Sequence, residues 1–143
     1  CPFVSRIQKI VEKAYDEGNF IVIIGESEHP EVIGINGYAD NLGYVVNSVE
    51  EAKKLPLTDK KVCVVAQTTT RHDLFESIIQ VLKEKYPDKI EVYSTICDAT
   101  SQRQSEAMLI AKKADIMVVI GGRQSSNTNK LYKICSEYCK HSV

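Results

Sequence analysis

Three stretches of this chain end an apolar run in side chains that can do chemistry: FIVIIGESEHPE (20–31), KVCVVAQTTTRHD (61–73) and ADIMVVIGGRQSSNTNK (114–130). His29 and Glu31 flank Pro30, which suits the first position of a helix. An imidazole and a carboxylate placed together at the end of a strand make acid–base work credible. Thr68 and Thr69 offer hydroxyls at the second site, and Ser125, Ser126, Asn127 and Thr128 form a run of hydroxyl and amide groups at the third. Helix starts with unsatisfied N–H groups attract anions, phosphate above all. One N-cap suffices for a helix, so the run at 125–128 exceeds what capping needs. The plainer readings remain open: Glu31 as a partner of the helix dipole, and Ser125 as an ordinary cap. No GxxxxGK[ST] loop occurs, and Gly121 and Gly122 do not form a GxGxxG fingerprint, which weakens a nucleotide site.

The five cysteines divide by context. Cys63 lies within a strand pattern and Cys135 on an apolar helix stripe, as core residues do. Cys1 and Cys97 stand at the edges of elements beside polar residues and are the better ligand candidates. Cys135, Cys139 and His141 have zinc-like spacing without a fourth ligand. An odd count without the spacing of a secreted disulfide scaffold fits a reducing compartment.

The elements that must position these groups follow from periodicity. Ile7, Ile10, Val11 and Ala14 share one face of a helix over 3–17 that stops at Gly18. Strands are expected at 20–24, 44–46, 61–66, 90–93 and 116–120. Ser48 and Glu51 have capping-box spacing for a short helix that stops near Pro56. Further helices fall at 71–86, ended by Pro87, at 102–114, and after residue 125, where Leu131, Ile134, Cys135 and Tyr138 repeat. Apolar strands alternating with helices predict an α/β fold, a parallel sheet covered on both faces in three layers of βα units. The carboxyl ends of such strands lie on one edge, where His29, Glu31, Thr68, Thr69 and 125–128 would converge. The one boundary falls near 94–98, dividing the chain into 1–94 and 95–143.

Composition excludes other classes. Eighteen Lys and Arg against 19 Asp and Glu leave no basic stripe for nucleic acid. No apolar run approaches the roughly 20 residues of a membrane span, and the first residues lack the charged-then-apolar layout of a signal peptide, so a cytoplasmic protein is expected. The start at Cys1 suggests a piece of something longer.

The motifs CPFV (1–4), HPEVIG (29–34), AQTT (66–69), TICDATSQRQ (95–104) and GGRQSSNTNKL (121–131), in this order and spacing, resemble the LytB-type 4-hydroxy-3-methylbut-2-enyl diphosphate reductases. The resemblance covers the whole chain. It implies a 4Fe-4S oxidoreductase of isoprene biosynthesis with three pseudo-symmetric α/β domains around a cluster held by three cysteines. Cys1 and Cys97 resemble two of those ligands, and the third has no counterpart here. Glu31 resembles the proton donor and Thr68 the threonine of its relay. His29, Ser125 and Asn127 resemble substrate and diphosphate ligands, with Thr69 and Ser126 inside the same motifs. An allylic diphosphate substrate and an external electron donor such as ferredoxin or flavodoxin are implied. Residues 1–94 would then be the complete central domain and 95–143 the first part of the next, inactive in isolation. The alternative is a non-catalytic, phosphate-binding α/β module.

Overall fold

The computed structural model describes every residue from Cys1 to Val143. Four strands, β1 (Phe20–Ile24), β2 (Tyr44–Val46), β3 (Val62–Ala66) and β4 (Ile90–Val92), form one parallel sheet in the order β2-β1-β3-β4. Both central strands are apolar throughout, and their alternate side chains enter different cores. Ile21, Ile23, Cys63 and Val65 meet Ile7, Val11 and Ala14 of α1 (Pro2–Asp16) and Val32 and Ile35 of α2 (Pro30–Asn36). Val22, Ile24, Val62, Val64 and Ala66 meet Ala52 of α3 (Val49–Lys54) and Phe75, Ile78, Ile79 and Leu82 of α4 (His72–Lys85). The expected three-layer α/β arrangement is therefore present.

Local signals set the ends of these elements. Gly18 adopts a φ of 79° just past α1, a conformation glycine takes without strain. At α3 the Glu51 N–H donates to Ser48 Oγ (3.2 Å), and the Glu51 carboxylate accepts from Asn47 N–H (2.6 Å). That is a capping box shifted back by one donor. Gly25, directly after β1, is required by close approach: a Cβ there would lie 2.8 Å from Val32 Cγ2 and 2.9 Å from Gln67 Cβ. Gly25→Ala is expected to cost about 1–3 kcal/mol of stability, read as a lower denaturant midpoint at unchanged slope.

The chain divides into two compact units, Cys1–Ile96 and Cys97–Val143. The second contains α5 (Asp98–Ala111) and α6 (Ser126–Tyr138), packed through Ala111, Cys135 and Cys139 with Ala107, Met117 and Val119. Two expectations change here. Helix α5 starts at Asp98 rather than 102, because Thr100 N–H (2.9 Å) and Ser101 N–H (3.0 Å) both reach Cys97 O and its first turn needs no apolar face. Residues 116–120 are not a buried strand. They make a short parallel pairing with 141–143, with Met117 N–H donating to His141 O (2.9 Å) and Val119 N–H to Val143 O (2.7 Å). The α5–α6 pair covers only the Met117 and Val119 side, leaving Ile116 65%, Val118 63% and Ile120 91% exposed.

Candidate functional site

Strand β1 leads through α2 to β2 on one side of the sheet, while its neighbour β3 leads through α4 to β4 on the other. The two connections diverge at the carboxyl edge between β1 and β3, which makes this the topological switch point, the position at which open α/β sheets bind ligands. The residues following these two strands are His29–Glu31 and Gln67–Thr69.

Glu31 and Thr68, 37 residues apart in sequence, make two hydrogen bonds: Thr68 N–H donates to Glu31 Oε1 (2.6 Å) and Thr68 Oγ1 to Oε2 (2.8 Å). Thr68 is buried at 8% exposure and Glu31 is half-buried, so the pair is partly shielded from water. A hydroxyl both donates and accepts. With Glu31 ionised, Thr68 donates to it; with Glu31 protonated, the carboxyl donates to Thr68 Oγ1 and the threonine proton turns outward. The pair can therefore pass a proton without either residue moving far.

His29 is the N-cap of α2, and its Nδ1 accepts from Glu31 N–H (3.1 Å). A neutral ring bonded this way carries its proton on Nε2, which makes that nitrogen a donor for an oxygen-rich ligand. The same bond anchors the backbone of the residue whose side chain holds Thr68.

Thr69, half-buried, accepts a hydrogen bond at Oγ1 from Gln67 Nε2 (3.0 Å), and Gln67 Oε1 accepts from Glu26 N–H (3.0 Å). Gln67 is completely buried and is absent from the candidates drawn from sequence. Its one signal was position: a long polar side chain directly after five apolar strand residues.

In the second unit, Ser125 caps α6, its Oγ accepting from Thr128 N–H (3.3 Å), so the plain reading of that serine is met. Ser126 is buried at the first position of the helix. Asn127 differs from both, because its Oδ1 is buried without any hydrogen-bond partner. Such an orphan is costly unless a ligand satisfies it. Rotating the amide by half a turn exchanges acceptor for donors, so the position can serve a hydroxyl or an anion. Gly121 lets the chain pass against Thr128, whose side chain occupies the place of a Cβ.

The cysteines separate as their contexts indicate. Cys63 is buried in β3 and its thiol is pushed up to about 12, by burial first and then by the charges of Glu91 and Glu17. Burial also raises Cys135, with Cys139 adding to it. The Cys139 thiol faces the carbonyls of Ala114 (3.4 Å) and Asp115 (3.5 Å). Cys1 is exposed at the N-cap of α1, and Cys97 is partly buried at the N-cap of α5, neither side chain making a capping bond. No three His, Cys, Asp or Glu side chains lie together as a metal-binding group.

A family model described as "LytB protein" matches residues 1–143. The 4-hydroxy-3-methylbut-2-enyl diphosphate reductase of Caldanaerobacter subterraneus subsp. tengcongensis is 50% identical over 142 residues, covering 99% of this chain and 49% of that protein. The protein of the same name from Clostridium acetobutylicum is 44% identical over 143 residues, which make up 22% of its length. Among solved structures, the E-1-hydroxy-2-methyl-but-2-enyl-4-diphosphate reductase from Plasmodium falciparum superposes with a TM-score of 0.92 at 34% identity, covering 100% of this chain and 46% of the other. An (E)-4-hydroxy-3-methyl-but-2-enyl diphosphate reductase, the terminal enzyme of the non-mevalonate pathway, gives a TM-score of 0.65 at 36% identity. The chain spans half or less of the length of these curated relatives. With the family match unbroken from its first residue to its last, the chain belongs to the LytB protein family.

Proposed function

We propose that the full-length protein carrying this chain is a 4-hydroxy-3-methylbut-2-enyl diphosphate reductase. It removes the allylic hydroxyl as water, using two electrons and two protons, and yields isopentenyl and dimethylallyl diphosphate. The observation that carries this reading is the doubly bonded, part-buried Glu31–Thr68 pair beyond the carboxyl ends of β1 and β3, an arrangement suited to relaying a proton.

Glu31 holds the proton that the departing hydroxyl needs, and Thr68 hands it on through its own hydroxyl. His29 Nε2 donates to substrate oxygen. Asn127, with Ser125, Ser126 and Thr69 in support, binds the diphosphate. Gripping that unreactive end orients the allylic end, which is how remote binding energy is turned into rate. A 4Fe-4S cluster, when bound, supplies the electrons and a Lewis-acidic iron. Cys1 and Cys97 suit it in chemistry: both thiols lack capping bonds and stand at helix starts, where unsatisfied N–H groups favour negative charge. The other three cysteines are buried, so a third thiolate has to come from outside this chain.

In this reading, residues 1–94 are the central domain and 95–143 the opening part of the next. The protein is cytoplasmic and draws electrons from a carrier such as ferredoxin or flavodoxin. No helix is long and apolar enough to cross a membrane.

The test is turnover by the anaerobically purified full-length protein, with a chemical reductant and 4-hydroxy-3-methylbut-2-enyl diphosphate. Both isomeric C5 diphosphates are expected, and their absence from iron-replete protein would reject the reading. The 143-residue chain reconstituted alone should take up no stoichiometric cluster, because two thiols cannot hold one and Cys1 sits at a fraying end.

A further inference from the structure

We infer that Gln67 is the positioning residue that holds Thr68 in register with Glu31. The inference rests on the reading of Glu31 and Thr68 as the proton relay.

Glu31 and Thr68 stand on two loops that leave the sheet in different directions, and a pair bonded at 2.6 and 2.8 Å tolerates little drift between them. Gln67 spans the two loops. Its Oε1 takes the N–H of Glu26, in the loop that leads to Glu31, and its Nε2 donates to Thr69, the residue after Thr68. The backbone of Gln67 is itself fixed to the neighbouring strand, its N–H donating to Ile24 O (2.8 Å). Thr68 is thus bracketed on both sides by one side chain.

The packing is built around this brace. Gln67 is fully buried, and Gly25 supplies the space, since a Cβ at Gly25 would fall 2.9 Å from both Gln67 Cβ and Gln67 Oε1. A long amide buried between strand ends is a poor choice for packing alone, because an apolar side chain of equal length avoids desolvating the amide. What the amide adds is direction: it fixes which way the 67–70 turn presents its N–H and hydroxyl groups. Displacement of a reacting group by about 1 Å can cost on the order of 10² in rate.

Gln67→Met keeps length and volume and removes both hydrogen bonds. Gln67→Glu keeps the acceptor for Glu26 N–H. In full-length protein with verified iron content, Gln67→Met should lower kcat by roughly 10- to 100-fold while KM changes less than about threefold. Gln67→Glu should recover part of that loss. Independently of any activity, the Thr68 amide proton can be followed by NMR in the 143-residue chain. Gln67→Met should move it upfield and speed its exchange, as expected when a short bond to a carboxylate lengthens. An unmoved Thr68 amide would overturn the inference. So would a parallel fall of kcat/KM and melting temperature with no partial recovery in Gln67→Glu, which marks a purely structural role. Loss of the relay reading itself would show differently, as normal turnover in a Glu31 variant whose Thr68 amide still responds to Gln67.

Discussion

Replacing Glu31 by Gln in the full-length protein is expected to lower kcat by on the order of 10²–10⁴ while leaving KM nearly unchanged. The amide can still accept from Thr68 N–H through its oxygen, so the shape of the pair survives. Its nitrogen then faces Thr68 Oγ1, where the carboxylate accepted before, and it has no proton to give. The loss should therefore appear only in the step that needs the proton. Were Glu31 merely a favourable charge at the start of α2, the change would cost about 0.3–1 kcal/mol of stability and spare turnover. Steady-state kinetics on protein of verified iron content decides the matter, and a near-normal kcat would end the proton-donor role.

The second large effect is on affinity. Asn127→Ala should raise KM about 10- to 150-fold, the equivalent of the roughly 1.5–3 kcal/mol that a hydrogen bond to a charged group contributes. Its stability should hold or rise, because the substitution removes a buried acceptor that has no partner. Ser125→Ala should weaken binding too and, in addition, lose about 1 kcal/mol of folding stability with the cap to Thr128. Melting curves and KM values for the two variants side by side separate ligand from cap. If Asn127→Ala melts earlier and binds normally, its place in the diphosphate site falls.

Much of the fold could be read from sequence because its determinants are local or periodic. β1 and β3 are unbroken apolar runs, α1 and α4 show stripes of helical spacing, and Gly18 and Ser48 mark ends by their own conformational and capping chemistry. The misreading of 116–120 has a plain cause: an apolar run states what a strand needs on each face, and only packing shows whether it has it. The late start expected for α5 arises because CDATSQ carries no apolar stripe, whereas a helical turn forms there on hydrogen bonds, Ser101 N–H (3.0 Å) and Ser101 Oγ (3.3 Å) both donating to Cys97 O. At the site, Glu31 and Thr68 were expected to converge because each follows a strand of a parallel sheet, but their direct bonding depends on β1 and β3 being neighbours, which a local pattern does not encode. Gln67 was marked only by its position after β3, because the room for its buried side chain is left by Gly25, 42 residues earlier.

The uneven covering of the two units bears on how the 143-residue chain behaves when made by itself. Residues 1–96 bury both faces of their sheet with their own helices, so this portion can complete its core as soon as it clears the ribosome. The ribbon at 116–120 carries Ile116, Val118 and Ile120 outward on an apolar, uncharged stretch. Such a segment is what holdase chaperones bind and what nucleates aggregation when it stays bare. Expressed as it stands, the chain is expected to owe its solubility to its first two-thirds and its losses to this ribbon. Val118→Lys, at a position where the side chain already meets solvent, is the change expected to improve soluble yield without touching either core.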